Sequence, residues 1–239
     1  MKTIRKTTAA DSKRFSRSAS AESLQVDEGA VVQIRKLAAG GEGQHLEFKA
    51  KANHPDKIAR SLCSFANSSG GTLLLGVSDS GSLQGVRYPD EDVSAILAVL
   101  HKSWPKFRIR VSMIALSSQR WLVRFDVREG RKKPVTLLQD KGQVWFRQGD
   151  ECLQAGPVRS EMLRRETSPR GAVITFGKEE KELMGCLANG SSLSLLTLLE
   201  RTGIPKPELI GKLAALVAVG VVRISSHAGD ERFSSVSPS

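Results

Sequence analysis

Three stretches in the first half of the chain carry apolar residues at helical spacing. Val31, Ile34 and Leu37 line one face of a short helix predicted over Ala30 to Ala39, which Gly40-Gly41 stops. Ile58, Leu62 and Phe65 do the same over Asp56 to Asn67, with Pro55 suited to the first turn and Gly70-Gly71 beyond the end. Glu91 to Lys102 is the third, stopped at Trp104-Pro105. Between these helices, His45 to Ala50 reads as a short strand. Thr72 to Val77 is apolar throughout, as a strand covered on both faces would be. Asp79-Ser80-Gly81 supplies a tight turn before a return strand ending at Val86.

From Phe107 the period becomes two. Phe107, Ile109, Val111 and Met113 alternate with Arg108, Arg110 and Ser112, and Trp121 to Arg128 alternates likewise, which predicts half-buried antiparallel strands. Pro134 to Leu138 and Gln143 to Arg147 add two more, and a helix from Arg159 to Glu166 is expected to close this part. The mixture predicts an α+β domain, a mixed and largely antiparallel sheet with helices on one side.

Residues 178–239 read differently. Helices are predicted at Glu180 to Ala188, Leu193 to Arg201 and Pro205 to Val219, with Thr202-Gly203-Ile204 as the tight turn of a helix-turn-helix. Val221 to Ser225 and Arg232 to Val236, joined at Ala228-Gly229-Asp230, form a hairpin. This order resembles a small winged-helix module. The expected organisation is a basic, disordered tail over 1–29, an α+β domain over 30–166, a linker over 167–177 and the module over 178–239.

Charge adds a partner to this outline. Among 239 residues, 36 Lys and Arg face 25 Asp and Glu, a formal net charge of +11. Such a field attracts polyanions and releases their counterions on contact, which points to nucleic acid, DNA or RNA. No membrane role is expected, because no stretch has the clean apolar stripe of an interfacial helix or the ~20 apolar residues of a span. Cys63, Cys152 and Cys186 are scattered without the paired spacing of a zinc site or disulfide framework, which suits a reducing, cytoplasmic setting.

The motifs along Glu42 to Gly85 resemble the Schlafen AlbA-like domain family. They are Glu42 with Leu46-Glu47-Phe48-Lys49, Phe65-Ala66-Asn67 with Gly70-Gly71, Leu75-Gly76-Val77 with Asp79 and Gly81, and then Gly85. Pro134-Val135 and Trp145-Phe146-Arg147-Gln148-Gly149 extend the likeness, which covers roughly Ala30 to Arg165. The resemblance implies nucleic-acid binding. It also implies an alternative, a metal-dependent endoribonuclease with its acidic triad at Glu42, Glu47 and Asp79; Gly43 departs from the Ser usual after the first Glu.

Carboxylates in such a group would hold Mg²⁺ or Mn²⁺, lowering the pKa of a bound water, while Lys49 would steady phosphate oxygens. No cofactor is required for binding alone. Against this, Glu47 and Lys49, two apart on a strand, also fit a surface ion pair, and Asp79 fits an ordinary turn. Gly-x-x-x-x-Gly-Lys-Ser/Thr is absent, so no phosphate loop for ATP is present.

Strand alternation places the basic residues. Arg108 and Arg110 should share one face with Arg124 and Arg128, Arg131-Lys132-Lys133 should extend it at the following turn, and Arg147 should join from a neighbouring strand. Such a stripe contacts phosphates without reading bases. In the C-terminal module Lys206 and Lys212 are the basic residues of the third helix, beside Glu208. That is little equipment for base recognition, so docking or homodimerisation through this module is an equal expectation, and a DNA-binding regulator is the expected whole.

Overall fold

The computed structural model describes residues 26–166, 176–188, 192–227 and 230–236. Most of the tail expected over 1–29, most of the linker expected over 167–177, and the turn at Ala228-Gly229 lie outside the described residues. The chain forms two compact units. One runs to Arg131 and resumes at Val135–Cys152; the other takes Lys132–Pro134 and everything from Leu153.

In the first unit α1 (Glu28–Ala39) begins two residues earlier than the apolar spacing predicts, because the Asp27 carboxylate accepts from the Ala30 N–H at 3.0 Å and caps it. β1 (Leu46–Lys49), α2 (Pro55–Asn67) and β2 (Gly71–Leu75) follow as a strand–helix–strand crossover, so β1 and β2 pair in parallel. Next come α3 (Pro89–Leu100) and a two-residue strand, β3 (Ser103–Trp104). The long antiparallel pair β4 (Ile109–Ser117) and β5 (Arg120–Val127) completes a four-stranded sheet in the order β1-β2-β5-β4.

The return strand expected up to Val86 is only isolated bridges, Val77 to Leu83 and Val86 to Trp121. β6 (Thr136–Leu137) pairs with β3, and β7 (Trp145–Gln148) turns back into β8 (Glu151–Gln154).

The α+β class with a mixed, largely antiparallel sheet is as the sequence predicts. Leu73 and Leu75 pack beneath α2 and α3 with Ile58, Leu62, Phe65, Ile96 and Phe125. Leu74 points the other way, into a second core of Val31, Ile34, Phe48, Ile114 and Leu122 under α1. The sheet is therefore covered on both faces where α1 lies, as the unbroken apolar run at Thr72 to Val77 predicts. At the end of α2, Gly70 has φ +77°, and a Cβ there would stand 2.8 Å from the Val127 carbonyl oxygen. A Cβ at Gly71 would overlap the Phe65 ring, so these glycines let the helix end close onto β5.

The second unit holds α4 (Pro157–Glu166), α5 (Lys178–Leu187), α6 (Leu195–Thr202) and α7 (Lys206–Ala218). A three-stranded antiparallel sheet in the order β10-β11-β9 completes it, from β9 (Leu193–Ser194), β10 (Val222–His227) and β11 (Asp230–Ser235). Gly203, at φ +64°, makes the turn between α6 and α7. The expectation that the helix ending at Glu166 closes the first domain is corrected. Val158 of α4 is fully buried with Leu183, Leu198, Leu209, Leu213 and Phe233, and Glu231 accepts from the first N–H groups of that helix at Val158 and Arg159, both at 3.0 Å. Among the described residues no helix is long and apolar enough to cross a membrane.

Candidate functional site

Among the described residues β1 has one strand neighbour, β2, so half of its backbone groups face away from the sheet. His45 and Lys49 give their carbonyls to Thr72 and Gly76 of the β2 side; Leu46 and Phe48 turn theirs outward. Each outward group nevertheless has a partner. Gly43 exchanges two backbone bonds with Leu46, the Glu42 carboxylate accepts from the Phe48 N–H at 2.6 Å, and the Lys49 ammonium donates to the Phe48 carbonyl at 2.9 Å.

Arg147 arrives from β7 and donates through Nη2 to the Gly43 and Leu46 carbonyls at 3.0 Å each. Its Nη1 pairs with Glu47 Oε2, and the guanidinium lies 5.0 Å over the Phe65 ring. Glu47 Oε1 accepts from Ser61 at 2.8 Å and pairs with Lys49 at 2.7 Å.

These contacts correct two expectations. Glu47, at 5% exposure, is no member of a solvated strand face, because the side of β1 opposite Phe48 is covered by α2. Arg147, with 1% of its side chain exposed, does not extend a basic surface: it is the buried counter-charge of Glu47. Nor does the structure bring Glu42, Glu47 and Asp79 together. Glu42 is engaged with the Phe48 N–H, Glu47 with two cations and a hydroxyl, and Asp79 is exposed in the turn of Ser78, Ser80 and Gly81. Among the described residues no three His, Cys, Asp or Glu side chains are grouped to hold a metal ion, so the residues present do not fit the Mg²⁺ or Mn²⁺ site of the nuclease alternative.

Asn67, one of the motif residues, is fully engaged. Its amide donates to the Val135 and Trp145 carbonyls at 2.8 Å each and its oxygen accepts from Val135 N–H at 2.6 Å, tying α2 to two later segments. Beside it, Asp140 takes two contacts from Arg60 Nε and the indole N–H of Trp145 at 2.8 Å. Burial pushes the Asp140 carboxyl up, but the bonds from Arg60 and Trp145 outweigh this and leave it below the usual carboxylate range. Burial raises the Cys63 thiol and takes that of Cys152 up to about 11, so both are poor nucleophiles.

The arginine stripe occupies the sheet face that α1 covers only in part. Arg110 stands opposite Asp126, Ser112 opposite Arg124 and Ile114 opposite Leu122, while the Arg128 N–H bonds the Arg108 carbonyl at 3.2 Å. Partners across a ladder point the same way, so Arg108, Arg110, Arg124 and Arg128 share one face with Asp126 among them. Arg108, Arg110 and Arg128 are exposed; Arg124 grips Asp126 at 2.8 Å, and Thr72 donates to the same carboxylate at 2.8 Å.

Arg131 and Lys132 are exposed, but Lys133 has 4% of its side chain exposed and pairs with Glu166 at 2.9 Å, so it does not extend the face as expected. In the second unit Lys206 is exposed at the start of α7. Lys212 instead contacts Glu180 at 2.6 Å and Glu179 at 2.8 Å, bonds that raise its pKa and occupy it, which corrects its expected place among phosphate ligands.

Comparison with known proteins bears on the unit that carries both clusters. Residues 42–156 match the family described as Schlafen, AlbA_2. The Schlafen AlbA_2 match ends just before α4 begins at Pro157, in agreement with the packing of that helix into the second unit. Among solved structures, the crystal structure of the DIP2311 protein from Corynebacterium diphtheriae aligns with a TM-score of 0.43 at 16% identity. The alignment covers 69% of this chain and 41% of that protein, so this chain spans less than half of that protein's length.

Proposed function

We propose that this protein binds nucleic acid by phosphate contacts from the arginine face of its mixed sheet, and acts as a DNA-binding regulator. The observation that carries the reading is the β4–β5 register, which sets Arg108, Arg110 and Arg128 side by side, exposed, on one face. The formal charge of +11 and the resemblance to a family associated with nucleic-acid binding support it. The helix order of the second unit supports a winged-helix reading. On α7, the third helix of that reading, Lys206 is the exposed cation and Lys212 is held by Glu179 and Glu180, so docking or pairing of two chains suits that unit as well as DNA reading does. With three free thiols, a reducing cytoplasm is the compartment such a protein suits.

Titration of a labelled DNA duplex by fluorescence anisotropy at several salt concentrations tests this. The wild-type affinity should fall as salt rises. The double variant Arg108→Ala, Arg110→Ala should bind more weakly and lower the slope of log K against log salt by about 2, roughly one per cation removed. Salt-independent binding by the wild type, or an unchanged slope in the variant, would remove the sheet face from the reading.

A further inference from the structure

Trp104, in β3, is 74% exposed, and Leu138, which follows β6 and opens a short 3-10 turn over Leu138–Asp140, is 73% exposed. The pairing of Ser103 with Leu137 and Trp104 with Thr136, extended by the Leu138 N–H on the Lys102 carbonyl at 3.2 Å, fixes which side chains share a face. Ser103 and Leu137 point inward and are buried. Lys102, Trp104, Thr136 and Leu138 therefore point outward together.

The mount is firm. Besides the ladder, the Thr136 hydroxyl donates to the Trp104 carbonyl at 3.2 Å, and Thr136 also bridges Val144. The surroundings are basic. Lys102 shares the face, and Lys106 follows two residues on, its ammonium donating to the His101 carbonyl at the end of α3. Arg108, the first arginine of the sheet face, is four residues from Trp104, which bounds their separation at about 14 Å of extended chain.

We propose that Trp104 is a stacking platform for an unpaired base, so that the preferred ligand is nucleic acid with a single-stranded segment beside the phosphates held by the sheet face. The inference rests on the nucleic-acid reading above and narrows its substrate class. An indole carried outward on a backbone fixed by this ladder offers a flat apolar face that any base can cover, and the lysines beside it would meet the phosphates on either side of that base. A basic rim favours a polyanionic occupant over a neutral apolar one.

The test uses the full chain, wild type and Trp104→Ala, with two labelled probes: an unpaired oligothymidylate and a blunt duplex of equal length. Wild type should bind both, and Trp104→Ala should weaken the single strand by about 5- to 100-fold while leaving the duplex within about twofold. Trp104→Phe should restore most of the loss, because a smaller ring still stacks. Equal weakening of both probes, or none of either, would overturn the stacking role while leaving the phosphate reading standing. Binding of neither probe by wild type would remove both readings. Sedimentation velocity of the same proteins provides a further arm. A wild-type dimer that Trp104→Ala dissociates, with single-strand affinity unchanged, would overturn the proposal by assigning the patch to a second copy of the chain.

Discussion

The interior of β1 and the open face of β4 and β5 both carry arginine, and they use it in opposite ways. Arg147 is enclosed: one carboxylate, two carbonyls and the Phe65 ring account for its guanidinium, and its charge is neutralised where it stands. Arg108, Arg110 and Arg128 are exposed beyond the part of the sheet face that α1 covers, and Asp126 in their midst is held by Arg124 and Thr72. The same side chain is a fold-stabilising counter-ion in one place and an exposed cation in the other. What differs is the element that packs above the strand.

Glu47→Ala should break the comparison most severely. It strands Arg147 as a buried charge, for which a cost of about 3–5 kcal/mol is expected, read as a lower urea midpoint at unchanged m-value. A loss under about 1 kcal/mol would mean that the cluster is open to water and that Arg147 belongs with the surface arginines after all.

Asp140→Asn should act on stability more mildly, by about 1–3 kcal/mol at neutral pH, because the amide cannot satisfy both Arg60 and Trp145. This effect has a pH signature. With the folded carboxyl held below its unfolded value near ~3.9, the stabilisation is fully present above that value and is lost as pH falls through the folded one. Urea midpoints of wild type and variant should therefore converge as the pH drops below about 4; a constant gap would show that the bond lost is not ionic.

Asp126→Asn probes the surface side with the smallest effect. Removing one negative charge and freeing Arg124 should raise duplex affinity about two- to threefold, measured by anisotropy at low salt, with little change in stability. A fall in affinity would instead mark Asp126 as the group that positions Arg124 for contact.

Much of this arrangement is legible in the sequence. The alternation from Phe107 to Met113 and from Trp121 to Arg128 is enough to set the four arginines on one face, and the apolar run at Thr72 to Val77 correctly implies cover on both sides. Period two tells which side chains share a face, however, and nothing about what lies above it. Glu47 and Lys49 alternate with Leu46 and Phe48 as surface residues would, yet Glu47 is buried because α2 packs there.

Arg147 could not be placed from its own strand, since its partners Glu47 and Gly43 are a hundred residues earlier. Lys212 escapes the sequence pattern for a related reason, its acidic neighbours Glu179 and Glu180 lying on another helix. Trp104 reads in sequence as a helix stop because Pro105 follows it, and its pairing with Thr136 is what reveals an exposed indole.

An unpaired strand margin is a template on which another chain can add by main-chain hydrogen bonds, and repetition of that event grows fibres. Glu42, Lys49, Arg147 and the Gly43 backbone together occupy every outward N–H and C=O from Leu46 to Phe48. Glu42 and Lys49, two of the residues that resemble a catalytic group, thus act with Arg147 as a guard against self-templating, and loss of that guard would open the β1 margin to strand addition.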